Sequence, residues 1–137
     1  MLRMHTVPLK FLAVGIVNTL FGLLVIYSCK WLFGLGDTVS NVSGYMAGLA
    51  VSFLLNRSWT FQHFGPMLPA FARFMIVFGI AYSANLATVL FSIHQFGVNP
   101  YLAHAIGIAP YTILFYLGSR NFAFGRAQRD RLAPRTW

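Results

Sequence analysis

Apolar and polar positions alternate along this chain on a long scale, with four extended apolar runs separated by short polar punctuation. A helix needs roughly 20 mostly apolar residues to cross about 30 Å of hydrocarbon. Windows of that length fall at about residues 9–33, 39–56, 71–96 and 101–119. Pro8 opens the first, where a missing backbone donor costs little because first-turn donors are unpaired anyway. That run is too long for the apolar core of a signal peptide. Gly34, Gly36 and Asp37 follow the first run, Gly65, Pro66 and Pro69 the second, and Gly97, Asn99 and Pro100 the third. Glycine and proline in such clusters mark turns. The pattern predicts an all-α membrane protein of four transmembrane helices, with no stretch left for a soluble domain and a short basic tail at 125–137.

Composition agrees, since 137 residues that are 58% hydrophobic and 9% charged cannot bury that apolar content in one soluble core. The net charge of +8 does not point to nucleic acid, because the basic residues cap apolar runs instead of striping a polar domain. Arg3, Lys10, Arg57, Arg73, Arg120, Arg126, Arg129, Arg131 and Arg135 fall on one side of the predicted spans and Lys30 alone on the other. Positive flanks are retained in the cytoplasm, so both termini are expected there, in an integral inner-membrane protein. Lys30 sits in the last turn of its span, from which its stem can snorkel to the headgroups beside Trp31. A single cysteine, Cys29, rules out an intrachain disulfide and a cysteine-based metal site.

Shifting the sequence by 63 residues superposes its halves without a gap. Lys10-Phe11 falls on Arg73-Phe74, Phe33-Gly34 on Phe96-Gly97, Gly44 on Gly107, Arg57 on Arg120, Trp59 on Phe122 and Phe61 on Phe124. The apolar matches carry little weight, but ungapped Gly, Arg and aromatic matches mark a repeat. Two tandem two-helix hairpins are expected, at about 10–61 and 73–124. Because two spans return the chain to its starting side, the copies form the parallel kind of transporter repeat, whose site is expected at their interface.

The stretches KFLAVGIVNTLFGLL and SFLLNRSWTF, with YLGSRNFAF echoing the latter in the second half, resemble the GtrA family of small membrane proteins. The resemblance covers roughly residues 10–124, and the Asn-Arg pair with its Trp-x-Phe ending is its most specific part. Ser52, where the family often has Asn, and Phe122, where Trp is frequent, depart from the pattern. The resemblance implies a four-span protein of cell-envelope polysaccharide assembly, of a family regarded as flippases for polyprenyl-phosphate-linked sugars.

Apart from the family, the residues argue against an enzyme. General acid/base chemistry needs placed carboxylates, and the only two, Asp37 and Asp130, lie outside the runs. His5, His63, His94 and His104 are scattered without metal-ligand spacing, so neither a metal nor a cofactor is expected. Polar groups inside membrane spans are costly and are candidate functional sites. Arg57 and Arg120 end the second helix of each hairpin, where a guanidinium holds phosphate through two hydrogen bonds; anchoring in anionic lipid is the plainer role. Lys10 and Arg73 open the first helix of each hairpin with the same two alternatives.

Asn18, Thr19 and Asn85 lie deep enough to need an interhelical partner or a polar groove for the sugar. Asn41 and His104 coincide under the shift near the outer ends, as helix caps, headgroup contacts or exit-side sugar contacts. In the second helix, Ser40, Gly44, Gly48, Ser52 and Asn56 recur every fourth residue and form a small or polar stripe for close packing, within the chain or between subunits. Asn56 also belongs with the groove residues. A homo-oligomer, most simply a dimer, is expected from so few helices. Two alternatives to a flippase remain: a non-transporting membrane partner of a glycosyltransferase, docked through the Arg-rich tail, and a four-helix small-molecule exporter, which lacks an intramembrane acid.

Overall fold

A computed structural model of the chain describes residues 2–125, and side chains from Thr6 onward. The basic tail beyond Gly125, with Arg126, Arg129, Arg131 and Arg135, lies outside the described residues, as does the side chain of Arg3. Four α-helices follow in order: α1 (Leu2–Trp31), α2 (Asp37–Leu55), α3 (Met67–Phe96) and α4 (Pro100–Gly118). Two short π-helical turns, Asn56–Thr60 and Ser119–Ala123, extend α2 and α4. The described residues contain no strand. All four helices are long and apolar enough to cross a membrane, and only 11% to 28% of each apolar window is buried inside the protein. The remaining surface, including Leu9, Ile16, Leu24, Ile80 and Ile113, is the face that hydrocarbon would cover.

Helix ends follow local chemistry, but α1 and α3 both start earlier than the expected runs at about 9 and 71. α1 begins six residues before Pro8 and runs through it. A proline so near the start withdraws only the bond to the Met4 carbonyl, and nothing in residues 2–7 breaks a helix. Pro69, expected in the turn before the third run, falls in the first turn of α3, where its missing donor costs no helical bond. Pro100 occupies the first position of α4 behind Asn99, whose side-chain oxygen accepts from the Tyr101 amide at 2.9 Å. Gly34 and Gly97 adopt left-handed φ values of 62° and 60°. Beyond each, the next amide reaches back six residues, Leu35 to the Cys29 carbonyl at 3.0 Å and Val98 to the Ser92 carbonyl at 3.2 Å. This closure suits glycine because a β-carbon strains the left-handed conformation.

The chain forms two compact units, one up to Gln62 and one from His63 onward. In the first, α1 packs on α2. A β-carbon on Gly22 would lie 3.2 Å from the Gly44 carbonyl oxygen, and one on Gly44 would lie 2.7 Å from the Gly22 oxygen. The helices therefore touch backbone to backbone, which only small residues allow. Ser40, Gly44, Gly48 and Ser52 are all buried, on one face of α2 by their four-residue spacing. The α1 face opposite carries Phe11, Val14, Asn18 and Gly22. In the second unit, α3 packs on α4 through the buried Ala70, Phe74, Val77, Ala81, Val89 and Ser92, which with the half-buried Asn85 between Ala81 and Val89 recur at three- and four-residue intervals. Phe74, fully buried, meets the tilted rings of Phe115 at 5.1 Å and Phe124 at 6.0 Å.

Candidate functional site

Basic residues gather at one end of each unit, and each of those ends carries a π turn. In the first unit the Phe61 amide donates to the Asn56 carbonyl at 2.8 Å, and in the second the Phe124 amide donates to the Ser119 carbonyl at 2.9 Å. These bonds span five residues instead of the four of an α-helix, so each turn holds one extra residue. Such turns are rare and cluster at functional sites. Arg57 and Arg120 each occupy the second position of their turn.

The first π turn is built on buried polar groups. Asn56, 1% exposed, donates from Nδ2 to Ser52 Oγ at 3.2 Å. Its Oδ1 and the Thr60 hydroxyl oxygen are buried and make no hydrogen bond among the described residues. Arg57 is half-buried and engaged within the chain. Lys10 reaches the same end from α1, with Nζ 5.3 Å from the centre of the Trp59 ring, a distance at which an ammonium is attracted to the ring face. Phe11 and Phe61 meet beside it at 6.2 Å.

The second π turn is held differently. Arg73 directs Nε and Nη2 at a single acceptor, the Ala123 carbonyl oxygen, at 3.3 and 3.2 Å. His63 Nδ1 donates to the Phe124 carbonyl oxygen at 3.2 Å, which requires the proton on Nδ1 because a carbonyl only accepts. The imidazole is buried, packs on the Phe124 ring at 5.5 Å, and lies against Gly65, where a β-carbon would be 2.7 Å from Nε2. Arg120, on the same turn, is exposed.

The deeper polar residues lie within the hairpins. Asn18 is half-buried with its side-chain oxygen against Gly48, where a β-carbon would collide with it. Asn85 is half-buried with its oxygen toward Gly107, where a β-carbon would sit 2.9 Å away. Each asparagine thus occupies a notch that a glycine leaves in the neighbouring helix. Thr19 is exposed and donates to the Gly15 carbonyl of its own helix at 2.9 Å, which satisfies its hydroxyl without a partner helix. At the opposite end of the first unit, Lys30 pairs with Asp37 and ties the end of α1 to the start of α2. Asn41 is exposed there, in a shallow depression with Asp37, Thr38 and Val42. His104 is exposed in the first turns of α4.

The structure therefore brings Lys10 to the turn of Arg57 and Arg73 to the turn of Arg120. The pattern of residues did not disclose the π turns themselves, His63 as a carbonyl donor, or the Lys30–Asp37 pair. The ungapped match of 56–61 onto 119–124 was the one signal that this segment is special.

Among known families, residues 10–124 match the one described as GtrA/DPMS, transmembrane domain. No curated protein and no solved structure matches the chain. The family match and the four apolar helices together make this an integral, multi-pass membrane protein.

Proposed function

Since this chain belongs to the GtrA/DPMS transmembrane-domain family, we propose that it is a non-catalytic translocator of a polyprenyl-phosphate-linked sugar. It carries the sugar from the cytoplasmic to the outer leaflet for cell-surface polysaccharide or glycan modification. The observation that carries this reading is the placement of Arg57 and Arg120 on π turns at the basic ends of their hairpins. A guanidinium at a membrane interface recognises phosphate bidentately. The hairpins are tandem copies of one unit, at about 10–61 and 73–124. With both termini cytoplasmic in the inner membrane, both arginines face the leaflet where a lipid-linked sugar is made. The polyprenyl chain stays in lipid, while Asn18 and Asn85 offer amides to replace the water that sugar hydroxyls lose, a loss worth several kcal/mol per unsatisfied group. Movement is downhill and driven by consumption of the sugar outside, and the working form is a homodimer.

The test is reconstitution of the purified protein in liposomes containing a radiolabelled polyprenyl-phosphate sugar, with access followed from each leaflet. Translocation well above that of protein-free vesicles is expected, and equality with them overturns the reading. The Arg-rich segment 126–137 favours one rival, a scaffold that docks a glycosyltransferase through opposite charge. Deleting residues 127–137 leaves flipping intact under the transport reading and abolishes transferase association under the rival.

A further inference from the structure

Four cations stand at the two π turns, yet they are not equivalent. Phosphate recognition needs a guanidinium or ammonium whose donors are open to a ligand. Arg73 has committed two of its N–H donors to the Ala123 carbonyl oxygen, at 3.3 and 3.2 Å, and is half-buried. That carbonyl ends a helix, where unpaired oxygens carry the negative end of the dipole, so a cation there is used by the protein itself. Lys10, the residue that falls on Arg73 under the 63-residue shift, spends its charge on the Trp59 ring instead. Arg120 stands apart. It is exposed on the turn that Arg73 holds, and no hydrogen bond or ion pair to its guanidinium occurs among the described residues.

The geometry points to Arg73 as a positioning residue that fixes the π turn Ser119–Ala123, and through it Arg120, without touching the lipid phosphate. The inference rests on the transport reading above, and it replaces the two roles that the sequence offered for Arg73, phosphate ligand or lipid anchor. A π turn is less favourable than an α turn of the same residues, so it persists only where other groups hold it. Here the holders are Arg73 on the Ala123 carbonyl and His63 on the Phe124 carbonyl. Releasing the Ala123 oxygen frees the turn to regain the four-residue pattern, which removes the extra residue, shifts the backbone under Arg120 and rotates the residues beyond the turn by about 100° around the helix axis. A lysine at this position keeps the charge but loses the planar fork that saturates one oxygen twice.

The full-length protein in nanodiscs tests this with a polyprenyl monophosphate as probe. In Arg73→Lys, exchange of the Phe124 amide, which closes the turn on Ser119, is expected to speed up by about tenfold or more, while amides in the middle of α3 and α4 keep their protection. Probe affinity is expected to fall about tenfold, as in Arg120→Gln. The double variant Arg73→Lys/Arg120→Gln is expected to bind no more weakly than either single variant, because a brace for a missing hand has nothing left to do. In the transport assay the half-saturating probe concentration rises while the maximal rate per folded protein changes little; a loss of folded protein alone would do the reverse. Unchanged Phe124 exchange in Arg73→Lys overturns the brace, as does a double variant whose losses multiply, the signature of two independent ligands. If the wild type binds no probe, the transport reading fails separately, and the exchange measurement still decides whether Arg73 holds the turn.

Discussion

A β-carbon at Gly44 meets the Ile26 side chain and lies 2.7 Å from a backbone oxygen of the facing helix, whereas one at Gly79 meets nothing within 4 Å. Two helical glycines therefore have opposite fates on substitution. Gly44→Leu is expected to destabilise the first unit by about 1–3 kcal/mol through overpacking, and Gly79→Ala to be neutral or stabilising by up to about 1 kcal/mol. Chemical unfolding in micelles followed by circular dichroism measures both. At the arginines the expectation concerns activity and not folding. Arg57→Ala and Arg120→Ala should each lower reconstituted transport by about tenfold or more, the effect of losing a charged hydrogen bond, with helical content unchanged. Retained transport in both would leave these residues as lipid anchors.

The two long helices end on glycines held at φ near 60°, so Gly34→Ala and Gly97→Ala should each cost about 1 kcal/mol or somewhat more. Thermal unfolding of the two variants checks this, with Gly36→Ala, which meets open space at φ −64°, as the neutral comparison. These elements were largely legible beforehand. The four apolar runs, the glycine stops at 34 and 97, and the Asn99-Pro100 start each correspond to a feature of the folded helices, because membrane spans are defined by length and apolarity, which a sequence displays directly. The resemblance carried by residues 10–124 is likewise the family that the chain belongs to. Pro8 misled because proline is read as a boundary, yet the second turn of a helix loses only one bond to it. The π turns were not legible at all. Hydrogen bonds to the fourth and to the fifth residue suit the same apolar pattern, and the choice is made by tertiary partners such as Arg73 and His63 that lie about 50 to 60 residues from the turn. For the same reason the sequence could place Lys10 and Arg73 near the membrane surface but not say what they grasp.

For the whole molecule, orientation is open to direct mapping. With Cys29 replaced by serine, Gly36→Cys and Gln62→Cys place single thiols in the turns at opposite ends of the first unit. The proposed topology expects a membrane-impermeant thiol reagent applied to intact cells to label Gly36→Cys and to spare Gln62→Cys until the membrane is opened. The reverse pattern would put both arginine-bearing turns outside, where no newly made lipid-linked sugar awaits them, and the transport direction would have to be inverted.

Each long helix turns back through a glycine-closed stop and finds its packing partner within the next few residues, α1 on α2 and α3 on α4. A chain wired in this way makes its contacts locally, which favours rapid folding. It also has meaning for synthesis at the ribosome. By the time residue 62 has emerged, both helices of the first hairpin have been translated, so α1 can pack on α2 before the rest of the message is read.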